Sequence, residues 1–280
     1  MSTLLRCLTV DGAVMALAAD TTDMAARAEQ IHKTSAVVTA ALGRCLTAAS
    51  LMGIQLKGAD DSVTLRIKCD GSIGGITAVS DSAGNVRGYA VNPVVELPLK
   101  PNGKLDVGGA VGGGMLYIIR DTGGVEPYVG CTPLISGEIA EDVTHYYAVS
   151  EQIPTVCSLG VLVNPDLTVK AAGGLLIQLL PGCPEETITQ LEANVAALPS
   201  MTSMLEAGLT PADIAARALE GFPFEILETA HPAYHCPCSR ERVKRALAAL
   251  PPADRAALPD ENGEAEVTCQ FCDRVYHIKM

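Results

Sequence analysis

The chain predicts an α+β protein in three parts: an N-terminal, mainly antiparallel β core with packed helices, a helical linker, and a small C-terminal four-cysteine zinc domain. Three observations carry this. Residues 1–182 consist largely of short apolar runs punctuated by Gly and Pro, with few helical stretches, a texture of α+β rather than of a wound parallel sheet. Residues 183–231 turn acidic and follow a helical pattern. Residues 232–280 are poor in large apolar side chains and carry two tight cysteine pairs.

Taken in order, Arg6, an apolar stretch and Ala16-Leu17-Ala18 imitate a secretory leader. Asp11-Gly12 falls in the middle of that stretch and reads instead as a hairpin turn, so a cytoplasmic protein is expected. A helix is predicted over about Thr34 to Leu56. Val63, Leu65 and Ile67 alternate with Thr64, Arg66 and Lys68, the period of a half-buried strand. Ile76 to Ser80 and Val86 to Val91 flank the turn Ser82-Ala83-Gly84-Asn85 and read as an antiparallel hairpin. The glycines at 108, 109, 112, 113 and 114 match neither a dinucleotide fingerprint nor a P-loop, and read as a turn or bulge. Strands follow at Met115 to Ile119, Val156 to Val163 and Leu175 to Leu180, with a helix over Ile139 to Gln152 between the first and second.

The linker, Cys183 to Ala230, holds eight acids and one base, Arg217, and so carries −7 of the chain's −12. Ile188, Leu191, Val195 and Leu198 form one helical stripe, and Thr210-Pro211 with Asp213 is a helix start. Short helices of one charge sign depend on docking for their stability. An ordinary acidic subdomain and a segment poised to come undone are both open on this pattern.

Composition also excludes partners. With 20 bases against 32 acids, no Trp and three Phe, neither a polyanion-binding surface nor a base-stacking platform is expected, and no nucleic-acid partner. No uncharged stretch reaches the ~18 residues of a membrane span, so no membrane partner is expected either.

The strongest chemical signal is Cys236-Pro237-Cys238 and Cys269-Gln270-Phe271-Cys272, separated by 30 residues. Two short-spaced pairs brought together by a loop satisfy tetrahedral four-thiolate Zn²⁺, and a reducing compartment favours metal over disulfide. From Cys236 onward, seven bases balance seven acids and only ten large apolar side chains are available, too few for a self-sufficient core. Ser239 caps a predicted helix with Val243, Leu247 and Leu250 on one face, ended by Pro251-Pro252. Its positive end and Arg240, Arg242, Lys244 and Arg245 favour thiolates. His235 and His277 border the pairs but are not needed as ligands. Oxidation to local bridges would close only tiny loops, whereas a link across the ~30-residue gap is worth about 3.5–4 kcal/mol in the chain-entropy model. Oxidation would then remove the clamp without replacing it. On spacing and charge alone a permanent structural zinc site, the commoner fate of four-cysteine sets, is the first reading and the redox switch the second.

At these residues the sequence resembles the redox-regulated heat shock protein 33 family. The matching stretches are CPCSRERVKRALAALP (236–251), TCQFC (268–272), PLISGEIAEDVTHYYAVSEQIPT (133–155) and AAGGLLIQLLPG (171–182). The resemblance implies a zinc-bound, inactive reduced form. It implies a non-enzymatic, ATP-independent holdase, activated by oxidation and unfolding, that keeps unfolded or damaged client proteins from aggregating. It further implies a homodimer when activated. Cys236, Cys238, Cys269 and Cys272 are then the zinc ligands and redox sensors, with disulfides Cys236–Cys238 and Cys269–Cys272. The domains expected are a client and dimerisation core at 1–182, the acidic linker at 183–231 and the redox-switch domain at 232–280.

Of the remaining cysteines, Cys45, Cys131 and Cys157 sit in apolar contexts and read as core thiols. Cys183 precedes a helix start, where an exposed and modestly reactive thiol is the less favoured reading. Two other functions compete: a thiol–disulfide oxidoreductase using Cys269 and Cys272, and a constitutive zinc ribbon. The oxidoreductase reading requires the pair at a helix start, whereas Val267-Thr268 and Val275-Tyr276 suggest a hairpin around it. A zinc hydrolase is weaker, since four sulfurs leave no position for water.

Overall fold

The computed structural model describes all of residues 1–280, which divide into two compact units, Met1–Tyr234 and His235–Met280. The predicted α+β class is observed, with every sheet antiparallel.

In the first unit, β1 (Thr3–Thr9) and β2 (Val14–Asp20) form the hairpin that Asp11-Gly12 announces, and Gly12 takes φ of 72° in its turn. They join β8 (Thr155–Val163), β9 (Val169–Leu179) and β10 (Phe224–Ala230) in a sheet of order β10-β1-β2-β9-β8. A second sheet, order β5-β4-β3-β6-β7, holds β3 (Ser62–Cys69), β4 (Ile76–Asp81), β5 (Val86–Ala90), β6 (Gly114–Asp121) and β7 (Tyr128–Pro133). In β3 the alternation holds: Val63, Leu65 and Ile67 are buried while Arg66 and Lys68 are exposed.

Helix α1 (Thr22–His32) packs on α2 (Ala36–Gly53), which touches strands of both sheets. All of α2 except Ala36 and Arg44 is buried, as befits a helix that is apolar all round. By length and composition it could cross a bilayer, yet 89% of it lies inside the fold as the central core helix. Its one charge, Arg44, pairs with Glu138 at 2.6 Å, and Glu138 also pairs with Lys100. The glycine-rich stretch forms a single-turn helix α3 (Val107–Val111), capped by Asp106, followed by positive φ at Gly112 and Gly114. Helix α4 (Ala140–Tyr146) runs into a π-helical turn, Tyr147–Glu151. The buried carboxylate of Asp142 accepts from the backbone N–H groups of Ile135 (2.7 Å), Ser136 (3.1 Å) and Ile139 (2.9 Å), fixing the loop before α4.

The first sheet is buried on both faces at its centre. Leu4, Leu17, Ala19, Ala172 and Leu176 face the core around α2. Leu5, Cys7, Val14, Ala16, Ala18, Leu175 and Ile177 face the other way, into a separate apolar cluster. That cluster is completed by α5 (Glu185–Ala197), α6 (Met201–Glu206) and α7 (Pro211–Ala218). The Thr210/Asp213 start signal is a capping box in which Thr210 Oγ1 accepts from the Asp213 amide at 3.2 Å.

One correction concerns the acidic segment. Its last seven residues, Phe224–Ala230, are a strand paired with β1, not helix. Glu225 and Glu228 hide this by extending the acidic texture, and Arg6 of β1 meets Glu228 at 3.2 Å. Beyond β10 the chain returns to the second sheet. Tyr234 bridges Val86 of β5, and the Val86 amide donates to the Ala233 carbonyl at 2.9 Å.

The second unit contains α8 (Arg240–Ala248), α9 (Pro252–Ala256) and the hairpin β11 (Glu264–Thr268) and β12 (Val275–Lys279). Ser239 caps α8 as expected, its Oγ accepting from the Arg242 amide at 3.2 Å. Of the predicted stripe, Leu247 is buried and Val243 packs beside it, but Leu250 lies past the helix end and is 37% exposed. The buried core cluster of this unit is three side chains, Leu247, Tyr276 and Ile278.

Candidate metal centre

Two local structures deliver the four cysteines. Cys236 and Cys238 lie on the extended arm that leads into α8, so the capped N-terminus of that helix begins beside Cys238. Cys269 and Cys272 occupy the turn between β11 and β12. There the Cys269 amide donates to the Arg274 carbonyl at 3.0 Å, and the Cys272 and Asp273 amides donate to the Cys269 carbonyl at 3.2 and 2.8 Å. Asp273 takes φ of 55°, which closes the turn and aims both sulfurs the same way. This is the hairpin context expected for the pair.

The four Sγ atoms lie within 4.8 Å of one another. Cys236 Sγ is 3.7 Å from Cys269 Sγ, and Cys238 Sγ is 3.4 Å from Cys272 Sγ, so the arm and the hairpin turn meet sulfur to sulfur. A tetrahedron with metal–sulfur bonds of about 2.3 Å has edges of about 3.8 Å, and the observed spacing fits it. The donor set is all sulfur and half-buried, which suits a borderline or soft ion that prefers tetrahedral thiolates. Neither His235 nor His277 belongs to the group; His277 points out of β12 and is 3.9 Å from Glu266.

The electrostatics are asymmetric. Burial pushes the Cys236 thiol up, and raises that of Cys272 as well. At Cys238 burial acts in the same direction, but hydrogen bonds from Tyr276, Cys272 and Cys236 prevail and bring the thiol down to about 7. Tyr276, which the sequence offers only as one of ten large apolar side chains, contributes a polar group as well: its hydroxyl donates to Cys238 Sγ at 3.0 Å. The signal for it lies in the alternation of β12, which places Tyr276 and Ile278 together on the inner face.

The six other cysteines lie elsewhere. Cys7 and Cys45 are buried, with thiols raised by desolvation, Cys7 to about 11. Cys157 is half-buried and raised to about 12 for the same reason, and half-buried Cys69 is raised chiefly by burial as well. Cys131 is exposed on the edge strand β7, which corrects its reading as a core thiol; its apolar neighbours in sequence alternate across that edge. Cys183 is half-buried, and burial together with Asp11 and Glu185 raises its thiol, which disfavours a reactive thiolate there.

A family model described as Hsp33 protein matches residues 2–279. The chain is similar to the 33 kDa chaperonin of Agathobacter rectalis, 46% identical over 277 residues, covering 99% of this chain and 96% of that protein. It is similar as well to the 33 kDa chaperonin of Clostridioides difficile, 50% identical over 273 residues, covering 97% of this chain and 94% of that protein. Among solved structures, the crystal structure of the 33 kDa chaperonin (heat shock protein 33 homolog) from Thermotoga maritima superposes with a TM-score of 0.91. The two chains are 37% identical, and the match covers 99% of this chain and 94% of that one.

Proposed function

The chain belongs to the Hsp33 protein family, and from that premise we propose that it is a redox-regulated, ATP-independent chaperone of the holdase type. The observation that carries the regulatory part is the meeting of the four sulfurs within 4.8 Å in a unit whose core cluster is three side chains. In the reduced state Cys236, Cys238, Cys269 and Cys272 hold one Zn²⁺ as thiolates. Bound there, the ion supplies a structural crosslink with an apparent ~10–16 kcal/mol of folding free energy. The α8 N-terminus and the cations that follow it offset the net negative charge of the four thiolates.

Oxidation consumes the donors. Each thiolate pair gives two electrons to a peroxide; an S–S bond forms, the O–O bond breaks, and with two protons two waters leave. Bridges Cys236–Cys238 and Cys269–Cys272 join near neighbours only, so the arm and the hairpin lose their common tie. Leu247, Tyr276 and Ile278 are too small a core to hold the unit unaided.

The acidic segment is the next to loosen. Of the thirteen residues of α5 only Leu191 is buried, and the segment's helices carry the one-sign charge read from the sequence. Its departure would bare the sheet face of Leu5, Val14, Ala16, Ala18, Leu175 and Ile177, an apolar surface of the kind that unfolded or damaged client proteins adhere to. The division into a core at 1–182, a linker at 183–231 and a switch domain at 232–280 is retained as a functional one. A homodimer in the activated state and a cytoplasmic location belong to the same reading and rest on the family resemblance.

Peroxide with mild heat should release one zinc per chain and turn on suppression of aggregation of a thermolabile client. Full suppression by the reduced, zinc-loaded protein would defeat the switch. Turnover in insulin reduction would favour an oxidoreductase, against which stands the placement of Cys269 and Cys272 in a hairpin turn rather than at a helix start.

A further inference from the structure

We infer that Tyr276 is a positioning residue for the sulfur centre: its hydroxyl fixes Cys238 Sγ in the four-thiolate set and restrains that sulfur's reactivity. The inference rests on the proposed reading of the four cysteines as a metal set. Tyr276 lies on β12, is 9% exposed, and shares the inner face of the hairpin with Ile278. Its ring packs in the small core with Leu247, while its oxygen reaches 3.0 Å from Cys238 Sγ on the opposite arm. The hydroxyl is the donor in this contact and the sulfur the acceptor, so the tie runs from the hairpin to the arm.

Two consequences follow from the chemistry of a hydrogen-bonded thiolate. The contact orients Cys238, the second cysteine of a pair with one intervening residue, so that less order has to be created when the ion binds. It also draws electron density away from a sulfur that the ion already holds as thiolate, and the intrinsic nucleophilicity of a thiolate falls with its basicity. Tyr276 is thus a tie between arm and hairpin that does not depend on the ion, and one that slows the ion's loss.

The test uses the full-length reduced protein loaded with Zn²⁺ and, separately, with Co²⁺. Y276F keeps the ring and its packing and removes only the oxygen. About tenfold weaker retention of Zn²⁺ against a chromogenic chelator is expected, at the low end of what loss of such contacts costs. A shifted sulfur-to-cobalt charge-transfer band and several-fold faster peroxide-driven release are expected with it. Y276M, which keeps an apolar side chain in the small core and removes the hydroxyl, should shift the same readouts in the same direction. Should Y276F fail to fold its C-terminal unit, Y276M decides. Identical chelator competition and an identical cobalt spectrum in the folded variant would overturn the inference while leaving the four-thiolate reading intact. A wild-type protein that retains neither ion would overturn both.

Discussion

The hydroxyl of Tyr234 donates to the carbonyl of Gly88 at 2.9 Å, on the outer edge of β5. It also lies 3.3 Å from the Gly88 amide and 3.2 Å from His32 Nε2, so one side chain satisfies both polar groups of a buried edge residue. Position 88 admits only glycine on its inner side, since a Cβ there would meet the Thr77 carbonyl of β4 at 2.7 Å. Tyr234 stands two residues before Cys236, and with the Val86 bridge it anchors the strap from which the cysteine arm departs. Tyr234→Phe keeps the ring and leaves the Gly88 groups without that partner, a cost of about 1–2 kcal/mol. The amides of Val86 and Gly88 should then exchange faster with solvent in the reduced protein, and peroxide activation should need less heating. Unchanged exchange at both amides would show that the strap is held by other contacts.

The ease with which parts of this molecule can be read from sequence follows how locally each is determined. The four cysteines are legible because thiol chemistry and short spacing leave few alternatives, and Ser239 and the Thr210/Asp213 box because caps are decided within four residues. The strand Phe224–Ala230 is not, because its identity depends on pairing with Thr3–Thr9, more than two hundred positions earlier. At a sheet edge, moreover, Ile226 and Leu227 are both about half exposed, which erases the alternation that marks a strand. Cys131 misleads for a related reason: in the run from Tyr128 to Leu134, apolar composition does not say which residues point off an edge strand. The ring of Tyr276 is evident from sequence, but its oxygen acquires a role only once the arm and hairpin are brought together.

The acid side of the stability profile should depend on Glu138. Burial alone would raise its carboxyl, but hydrogen bonds from Lys100 and Arg44 outweigh burial and hold it below the ordinary value of 4.5. A carboxylate depressed on folding contributes stability that is present above its unfolded value and is lost as the pH falls through the folded one. Wild-type protein should therefore lose melting temperature from just below pH 4.5 downward, over a span in which Glu138→Gln changes less. At pH 7 the variant should be the less stable of the two, since Arg44, mostly buried on the central helix, loses its charged partner. Parallel melting curves for the two proteins between pH 6 and 3 would show that the ion pair is neutral in stability.

Thiol labelling should separate the cysteines by exposure. In the reduced, zinc-loaded protein, Cys131 on the edge of β7 should be alkylated first by a neutral reagent, with Cys183 slower because burial and nearby acids raise its thiol. Cys7, Cys45 and Cys157 should resist until the first unit unfolds, their thiolates being disfavoured by desolvation. Cys131→Ser should therefore remove the fastest labelling phase and leave oxidative activation unchanged. Loss of activation in that variant would bring the edge strand into the mechanism.

Metal removal gives the most direct separation of the two units. The first unit has two extensive apolar clusters, whereas the second has one cluster of three buried side chains and a sulfur centre. A strong chelator acting on the reduced protein should unfold His235–Met280 while the sheets of Met1–Tyr234 keep their protected amides. Cys238→Ser should do the same without chelator: a hydroxyl is a poor replacement for a thiolate in an all-sulfur set, and the acceptor of the Tyr276 hydrogen bond is weakened with it. If loss of the clamp alone is sufficient, the chelated protein and the serine variant should both hold a client at elevated temperature with no oxidant present. If instead both have an unfolded C-terminal unit and yet need peroxide to bind clients, the disulfides do more than release the clamp. The acidic helices would then be responding to a bridge and not to the missing ion, and the amides of α5 would stay protected in the chelated protein.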